Sequence, residues 1–385
     1  MGRLAPQALS FLVQVALFRI AGLEVVGQFA ILTAIGNLTF GTLGAGIRTN
    51  LLREADPSLS GSAFLLLSWF SPFALLIAVG VTWWTGISFG AGVAALAGVF
   101  FIGLGELLGI HYRITSRDHK ILLPRILPPA LFLFFIIMER PLNTKFVSLF
   151  YFFSYATIPI FVLFENTLKI FNRENLSYLK NVWKGSTFVS GSTIFTQIYG
   201  NVDLVLIKTF LSDNLAGIYK IAFSFSNLAM PTIGVFAFIY ASKLKNAIIT
   251  TSKRNVRSFF SRQILINFCV GVTYYIVMGI LTYIFIPIIY GTKAVSAIPI
   301  IFILNVGVVL NMICMVFSYT MLAFSLEKNV FMVSFVAAIT NLIFNVAFIP
   351  RFNAIGAATA SVATQFSILI IFFYLVKKSD LFAED

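Results

Sequence analysis

The chain has 385 residues, of which 59% are hydrophobic and only 11% are charged, and its mean hydropathy is +0.95. This composition excludes a soluble globular domain and indicates a polytopic membrane protein. The formal net charge of +13 does not require a nucleic-acid partner, because the basic residues concentrate in alternate loops, where anionic lipid attracts them.

About twelve apolar runs follow one another, each long enough to cross roughly 30 Å of hydrocarbon as a helix. They cover residues 5–21, 25–47, 61–84, 86–110, 120–138, 146–167, 186–210, 215–241, 259–289, 294–320, 328–349 and 355–376. The sequence therefore predicts an all-α membrane protein. Residues 168–185 are predicted to form a cytoplasmic linker between an N-terminal six-helix bundle, 1–167, and a C-terminal bundle, 186–385. An interfacial helix is the alternative for the linker.

The loop charges predict the orientation of these spans. If the N-terminus is cytoplasmic, most of the loop lysines and arginines fall on the inner side. The outer loops hold only Arg140, Lys145, Lys293 and Arg351. This bias predicts that both termini are cytoplasmic and that the number of spans is even.

The two halves of the chain share a repeated segment. Residues 27–44 align with residues 217–234 at a constant offset of 190. The matches include Gly27 with Gly217, Asn37 with Asn227 and Gly44 with Gly234. Chance is the alternative, because apolar segments align easily. A real duplication of six helices predicts two bundles with the same orientation, related by a parallel repeat.

Polar residues form stripes on several of the predicted helices. Lys220, Ser224 and Asn227 share one helical face, and Gln14 belongs to a similar stripe near the N-terminus. A polar stripe cannot face lipid without a large cost, so these faces turn toward other helices or a water-filled cavity. For Asn37 and Asn227, hydrogen bonding between helices is as good an interpretation as cavity lining.

Ionisable residues within the spans are the functional candidates. The cations are Arg19, Arg125, Lys208, Lys220 and Arg262, whereas the acids are Glu106 and Asp203. An excess of cations in a medium of low dielectric suits an anionic substrate such as a pyrophosphate, which arginine binds with a bidentate fork. The predicted site thus comprises a cationic substrate-binding set, Arg19, Arg125, Lys208, Lys220 and Arg262, with Gln14, Asn37, Ser224 and Asn227 lining the cavity.

Asp203 and Glu106 are the candidate ion-coupling residues. Neutralising a nearby cation is the alternative for Asp203, and a solvated or capping position near the inner helix end is the alternative for Glu106. No catalytic residue, metal ligand or cofactor is predicted, because the sequence has no phosphate-binding loop and no paired loop carboxylates. His111 and His119 are predicted to be solvated residues of a cytoplasmic loop.

Three segments resemble one family of membrane transporters. They are GLEVVGQFAIL (22–32), NVDLVLIKTFLSDNLAGIYKIAFSFSNL (201–228) and PRFNAIGAATASVATQ (350–365). These segments are similar to the polysaccharide transporters, or lipid-linked oligosaccharide flippases, of the multidrug/oligosaccharidyl-lipid/polysaccharide (MOP) exporter superfamily. The chain departs from the family pattern at Asn353 and Ala354, where a glycine is usual.

The resemblance implies a V-shaped pair of six-helix bundles with a central cationic cavity in the bacterial inner membrane. The implied substrate is an undecaprenyl-pyrophosphate-linked repeat unit of the O-antigen or capsule type, carried outward by alternating access. A glycan polymerase and a chain-length regulator are further expected partners, besides membrane lipids. The alternatives are a multidrug or cation antiporter of the related MATE branch, a flippase for the peptidoglycan precursor lipid, and a membrane glycan polymerase or ligase.

Overall fold

The structure, a computed structural model, describes residues 4–41, 86–139, 141–164, 187–250 and 252–379, together with scattered residues between 47 and 83. Within these residues every regular element is a helix and none is a strand, so the all-α prediction is confirmed. The helices are α1 (Leu4–Gly36), α2 (Phe89–Ile114), α3 (Leu122–Met138), α4 (Thr144–Tyr155), α5 (Thr157–Phe164), α6 (Thr187–Phe210), α7 (Asp213–Ser226), α8 (Met230–Thr250), α9 (Lys253–Tyr290), α10 (Ile298–Ala323) and α11 (Glu327–Lys378).

The described residues include seven helical stretches long and apolar enough to cross a membrane. Two of these stretches hold more than one predicted span. Helix α1 contains the first span and much of the second, whereas α11 contains the last two. The predicted count of about twelve is consistent with this arrangement. The predicted third span, 61–84, lies largely outside the described residues, and the predicted linker, 168–185, lies wholly outside them.

Helices α1 and α11 are each divided by a residue with positive φ. In α1 this residue is Gly22, with φ 83° and ψ 176°. In α11 it is Asn353, with φ 56° and ψ −141°, a conformation that strongly favours glycine. Each break lies between two predicted spans, and it kinks the helical element with almost no loop.

The chain divides into two compact units, Met1–Gly217 and Ile218–Asp385, with the boundary inside α7. The predicted domain bounds fall at the linker that the structure does not describe, so those bounds stay a prediction. In the first unit, an aromatic cluster joins α1, α3 and α4. The ring of Tyr151 lies edge-on to Phe29, with ring centroids 5.0 Å apart, and also contacts Phe132 at 5.3 Å. Gly98 of α2 leaves space for the same tyrosine, since a Cβ there would lie 2.6 Å from its Cε1 atom.

In the second unit, α10 is largely buried and contacts both α9 and α11. The fully buried Phe317 lies edge-on to Phe260 of α9 at 5.2 Å and contacts Phe373 of α11 at 4.7 Å. On α9, Gly271 and Gly279 allow close approach to α10: an added Cβ would lie 3.0 Å from a side-chain atom of Val309 or Phe302. Because these helices have few polar residues, the contacts between them are mostly apolar.

The prediction that His111 is a solvated loop residue is wrong. The predicted span ends at residue 110, but α2 continues to Ile114. His111 is therefore inside the helix, only 5% exposed, and its Nδ1 lies 2.9 Å from Ser60 Oγ. Burial of a polar ring in this way requires a hydrogen-bond partner, and the serine provides it.

Candidate functional site

The first unit contains a cavity of about 550 Å³ between α1, α2, α3 and the junction of α4 with α5. Its polar lining residues are Ser10 from α1, Glu106 and Arg113 from α2, Arg125 from α3 and Tyr155 from α4. The remaining lining residues are apolar or glycine. The structure thus brings together two predicted site residues, Arg125 and Glu106, with Arg113, which is not among the predicted site residues.

The charge around this cavity is predominantly positive. Glu106 forms an ion pair with Arg48, so its carboxylate is already balanced by a neighbouring cation. Among the described lining residues, the half-buried Arg113 and Arg125 are two cations beside one acid, so basic groups outnumber acidic ones. In surroundings of reduced dielectric such an excess attracts an anion more strongly than it would in water.

The Arg125 side chain reaches α2 at a position occupied by glycine. A Cβ added at Gly109 would lie 3.1 Å from Arg125 Nη2 and 3.7 Å from its Nε. The glycine therefore lets the guanidinium lie close to the helix backbone. Gly105, one turn earlier, does the same for Ile158, with a Cβ distance of 3.0 Å from its Cδ1. Gly105 thus makes room for an apolar side chain, and Gly109 makes room for a charged group.

A second polar cluster joins four helices of the first unit. Lys208 Nζ, at the end of α6, lies 2.7 Å from Asp213 Oδ1 and donates to Oδ2 at 2.8 Å. Gln28 Nε2, from α1, donates to the same Oδ2 at 3.0 Å. Thr144, the first residue of α4, donates to Gln28 Oε1. Both charged side chains are mostly buried, with 22% exposure for Lys208 and 13% for Asp213.

This cluster gives Lys208, one of the predicted substrate cations, a carboxylate partner that was not predicted from the sequence. Asp213 is the first residue of α7, where a negative charge also complements the helix dipole. Asp213 follows Lys208 by five residues, across a short turn. This spacing can be read from the sequence and is compatible with an ion pair. The contribution of Gln28 and Thr144 is not readable from the sequence, because both come from distant positions along the chain. The substrate-binding role of Lys208 stays a prediction.

The other predicted residues of the first unit lie apart from the cavity lining. Arg19 is exposed on α1, and Gln14 is half-buried on the same helix. Asp203 is buried in α6, with 4% exposure. Asn37 donates a long hydrogen bond of 3.4 Å to Asn201 Oδ1, which favours the interhelical interpretation of this residue.

In the second unit, the predicted polar stripe is only half-buried. Lys220 Nζ lies 5.9 Å from the ring centroid of Phe223, at the edge of cation–π range. Ser224 and Asn227 are half-buried, the latter in a 3-10 turn after α7. Arg262 is exposed on α9. The cavity-lining and substrate-binding roles of these residues stay predictions.

Three asparagines of the second unit are buried, and none of them was predicted from the sequence to be a site residue. Asn305 on α10 is fully buried, and both polar atoms of its carboxamide have no hydrogen-bond partner among the described residues. Asn341 and Asn345, one turn apart on α11, are joined by a hydrogen bond of 3.0 Å from Asn345 Nδ2 to Asn341 Oδ1. An asparagine within an apolar run does not by itself indicate whether its side chain is buried between helices or lies at the surface.

No protein-family model and no curated protein matches the chain. Solved structures do match it along almost its whole length. An inward-facing multidrug resistance MATE transporter of the MOP superfamily aligns with a TM-score of 0.74 at 15% identity, covering 97% of this chain and 94% of that one. The lipid II flippase MurJ, in an inward closed conformation, aligns with a TM-score of 0.75 at 13% identity, covering 98% and 86%.

A MOP-superfamily transporter from Pyrococcus furiosus, described as having a binding pocket of reverse polarity, aligns with a TM-score of 0.66 at 15% identity, covering 99% and 94%. Identities this low establish the fold and leave the substrate open. The structural neighbours are membrane transporters and flippases, and the chain is an integral membrane protein with the fold of the MOP-superfamily transporters.

Proposed function

We propose that this protein is a flippase that moves a polyprenyl-pyrophosphate-linked oligosaccharide from the inner to the outer leaflet of the bacterial cytoplasmic membrane by alternating access. The observation that carries the proposal is the cavity of about 550 Å³ lined by Arg113 and Arg125. Its substrate would be an undecaprenyl-linked repeat unit of the O-antigen or capsule type. Both termini would be cytoplasmic.

The lining of the cavity suits a diphosphate bonded to a sugar. Arginine offers parallel N–H donors that match phosphate oxygens, and its charge does not titrate at physiological pH. The hydroxyls of Ser10 and Tyr155 add hydrogen-bonding groups suited to a neutral sugar. A volume of this size falls in the range of small-molecule sites. The polyprenyl chain would stay in the bilayer throughout, so its movement would add no free-energy cost of exposing hydrocarbon to water.

The alternatives make different demands on the same cavity. A MATE-type exporter of cationic drugs would need an excess of acids, whereas the acid in this lining, Glu106, is paired with Arg48. A flippase for the peptidoglycan precursor shares the diphosphate chemistry, and the fold of MurJ makes it the nearest alternative. A glycan polymerase or ligase has less support, since the structural neighbours are transporters.

Coupling to an ion remains part of the proposal. Asp203 is the stronger of the two candidates, because it is buried inside α6, whereas Glu106 is engaged by Arg48. If protons drive transport through Asp203, then Asp203→Asn should abolish transport driven by a pH gradient in vesicles. Unchanged pH-driven transport would remove Asp203 from the mechanism.

The proposed function is tested by cavity variants in the native host. Arg125→Ala and Arg113→Ala should each reduce export of the glycan at least tenfold while the protein still reaches the membrane. The matched control is Arg117→Ala, because Arg117 is an exposed arginine near the same helix end and does not line the cavity. Normal export from both cavity variants, at normal membrane levels, would overturn the cationic-cavity argument.

The class of substrate is tested by deletion. Loss of a glycan flippase should cause single, unpolymerised lipid-linked units to accumulate on the cytoplasmic leaflet, where mass spectrometry of extracted lipids detects them. Accumulation of the peptidoglycan precursor would instead identify the nearest alternative. Efflux of a cationic dye by reconstituted protein would favour the MATE-type alternative.

A further inference from the structure

The connection between α8 and α9 carries the densest run of exposed cations in the described chain. Besides Lys253, five basic side chains are exposed over twenty residues of sequence: Lys243, Lys245, Arg254, Arg257 and Arg262. No acid occurs anywhere between Asp213 and Glu327. Among the described residues, none of these five cations forms an ion pair with a carboxylate. Exposed cations that lie close together in the sequence and lack acidic neighbours attract anions from outside the protein.

Packing inside the second unit joins the ends of α8 and α9 that carry these cations. Tyr240 of α8 stacks on Phe259 of α9, with ring centroids 5.6 Å apart and an interplanar angle of 19°. Tyr240 also shares a hydrogen bond of 2.7 Å with Thr320 of α10. Leu244 and Val256 are buried beside these contacts. Because the inner faces of both helices are occupied by these residues, their basic residues are left on the outside.

The exposed face of α9 changes from basic to apolar along one continuous stripe. Its first turns present arginine and serine, and no acid occupies the first turn to complement the helix dipole. From Leu265 onward the same face presents apolar side chains, with exposures of 61% for Leu265, 46% for Phe268, 36% for Val272 and 56% for Ile276. The stripe therefore has the polarity profile of a phospholipid molecule, with a charged end followed by hydrocarbon.

The length of α9 puts this change of polarity at a membrane surface. Leu265 lies 25 residues before Tyr290, the end of the helix, which corresponds to about 38 Å of helical rise. That distance covers a hydrocarbon core of about 30 Å and part of the opposite interface. Arg262 and the residues before it then lie in the headgroup layer.

We propose that the surface formed by Arg254, Arg257 and Arg262 of α9, beside Lys243 and Lys245 of α8, binds an anionic phospholipid of the cytoplasmic leaflet. The arginines bind the phosphate, the exposed hydroxyls of neighbouring serines assist, and the acyl chains lie along the apolar continuation of the stripe. A glycerophospholipid satisfies both parts of this surface, whereas a free anion satisfies only the first. The proposal is independent of the transported substrate.

The test measures binding of phosphatidylglycerol to the purified full chain held in phosphatidylcholine nanodiscs. The variant Arg254→Gln/Arg257→Gln/Arg262→Gln removes three cations from the surface. The matched control Lys145→Gln/Lys293→Gln/Arg351→Gln removes three exposed cations elsewhere. Each surface cation is expected to contribute about fivefold to the affinity for anionic lipid. The first variant should therefore bind phosphatidylglycerol on the order of 100-fold more weakly, and the control should bind like the wild type.

Equal losses in both triple variants would show an effect of net charge alone and would overturn the proposal, as would equal affinities of all three proteins. Displacement of the lipid by stoichiometric inorganic pyrophosphate would also overturn it, because a free-anion site would then explain the cations.

If the glutamine variant fails to fold, the variant with lysine at the three positions keeps the charge and removes the guanidinium forks. Retention of at least a tenth of the wild-type affinity by that variant, with loss in high salt, would support the proposal, and affinity that does not change with salt would contradict it.

Discussion

Alanine at Gly27 or Gly217 should destabilise the first unit, because the two glycines form a contact between helix backbones. A Cβ at Gly27 would overlap the carbonyl oxygen of Asp213 and lie 3.0 Å from Gly217 N. A Cβ at Gly217 would overlap the carbonyl oxygen of Leu23 and lie 3.3 Å from Gly27 N. Leu23 and Asp213 are separated by the same offset as the two glycines, so the contact is equivalent from both sides and supports the predicted duplication.

The expected magnitude follows from two opposing terms. Alanine within a helix gains about 1 kcal/mol over glycine. Inserting a methyl group into a packed interior typically costs about 1–3 kcal/mol, and we expect about 2–3 kcal/mol here because the atoms met belong to backbone, which cannot move aside. Gly27→Ala should therefore be destabilised by about 1–2 kcal/mol net, whereas Gly200→Ala, with open space around its Cβ, should gain about 1 kcal/mol.

Thermal unfolding of the purified variants in one detergent, followed by intrinsic fluorescence, measures the difference. For a unit of this size, 1 kcal/mol corresponds to about 2–4 °C in Tm, so Gly27→Ala should melt about 5–10 °C below Gly200→Ala. Gly217→Ala should behave like Gly27→Ala. A Gly27→Ala protein that melts at or above the Gly200→Ala control would refute the close backbone contact.

Three further substitutions test other parts of the structure by the same melting assay. Asp213→Asn leaves Lys208 mostly buried without its carboxylate and should cost about 3 kcal/mol, of which the double variant with Lys208→Met should recover a large part. Asn353→Gly should stabilise the protein by about 1 kcal/mol, because glycine adopts the observed backbone conformation without strain. Asn305→Leu should stabilise by about 1–2 kcal/mol, because it removes buried polar atoms that lack partners in the described residues.

Each of these outcomes has a contrary result. A double variant as unstable as Asp213→Asn alone would show that the carboxylate acts through Gln28 rather than through Lys208. A lower Tm for Asn353→Gly would show that the asparagine side chain contributes more than its backbone costs. Destabilisation by Asn305→Leu would show that a polar group satisfies the carboxamide and that the apolar replacement removes it.

The sequence predicts the helices well where composition is decisive. The run 186–210 matches α6, Thr187–Phe210, and the run 120–138 matches α3, Leu122–Met138. Lipid exposure forces the chain into helices, so length and hydropathy suffice for these elements. The ends are less predictable, because a helix can continue past its apolar run, as α2 does through His111.

The sequence predicts the polar site less completely. It singles out Arg125 and Lys208 because a cation within an apolar run is costly and therefore conspicuous. It does not reveal their neighbours, since pairs such as Gln28 with Asp213 depend on the rotation and crossing of helices. In segments that are apolar on nearly every face, periodicity carries little information about rotation.

The break in α11 determines where the topology of this chain can be probed. Arg351 is predicted to be at the outer surface, yet it lies in a helical element without a loop. Directly after the break, a Cβ at Gly356 would lie 2.6 Å from the carbonyl carbon of Phe348. An epitope inserted at this point would separate the two helices, and its accessibility would report damage rather than orientation. The connection between α3 and α4, where Glu139 and Pro141 are exposed, can accept a reporter without that penalty.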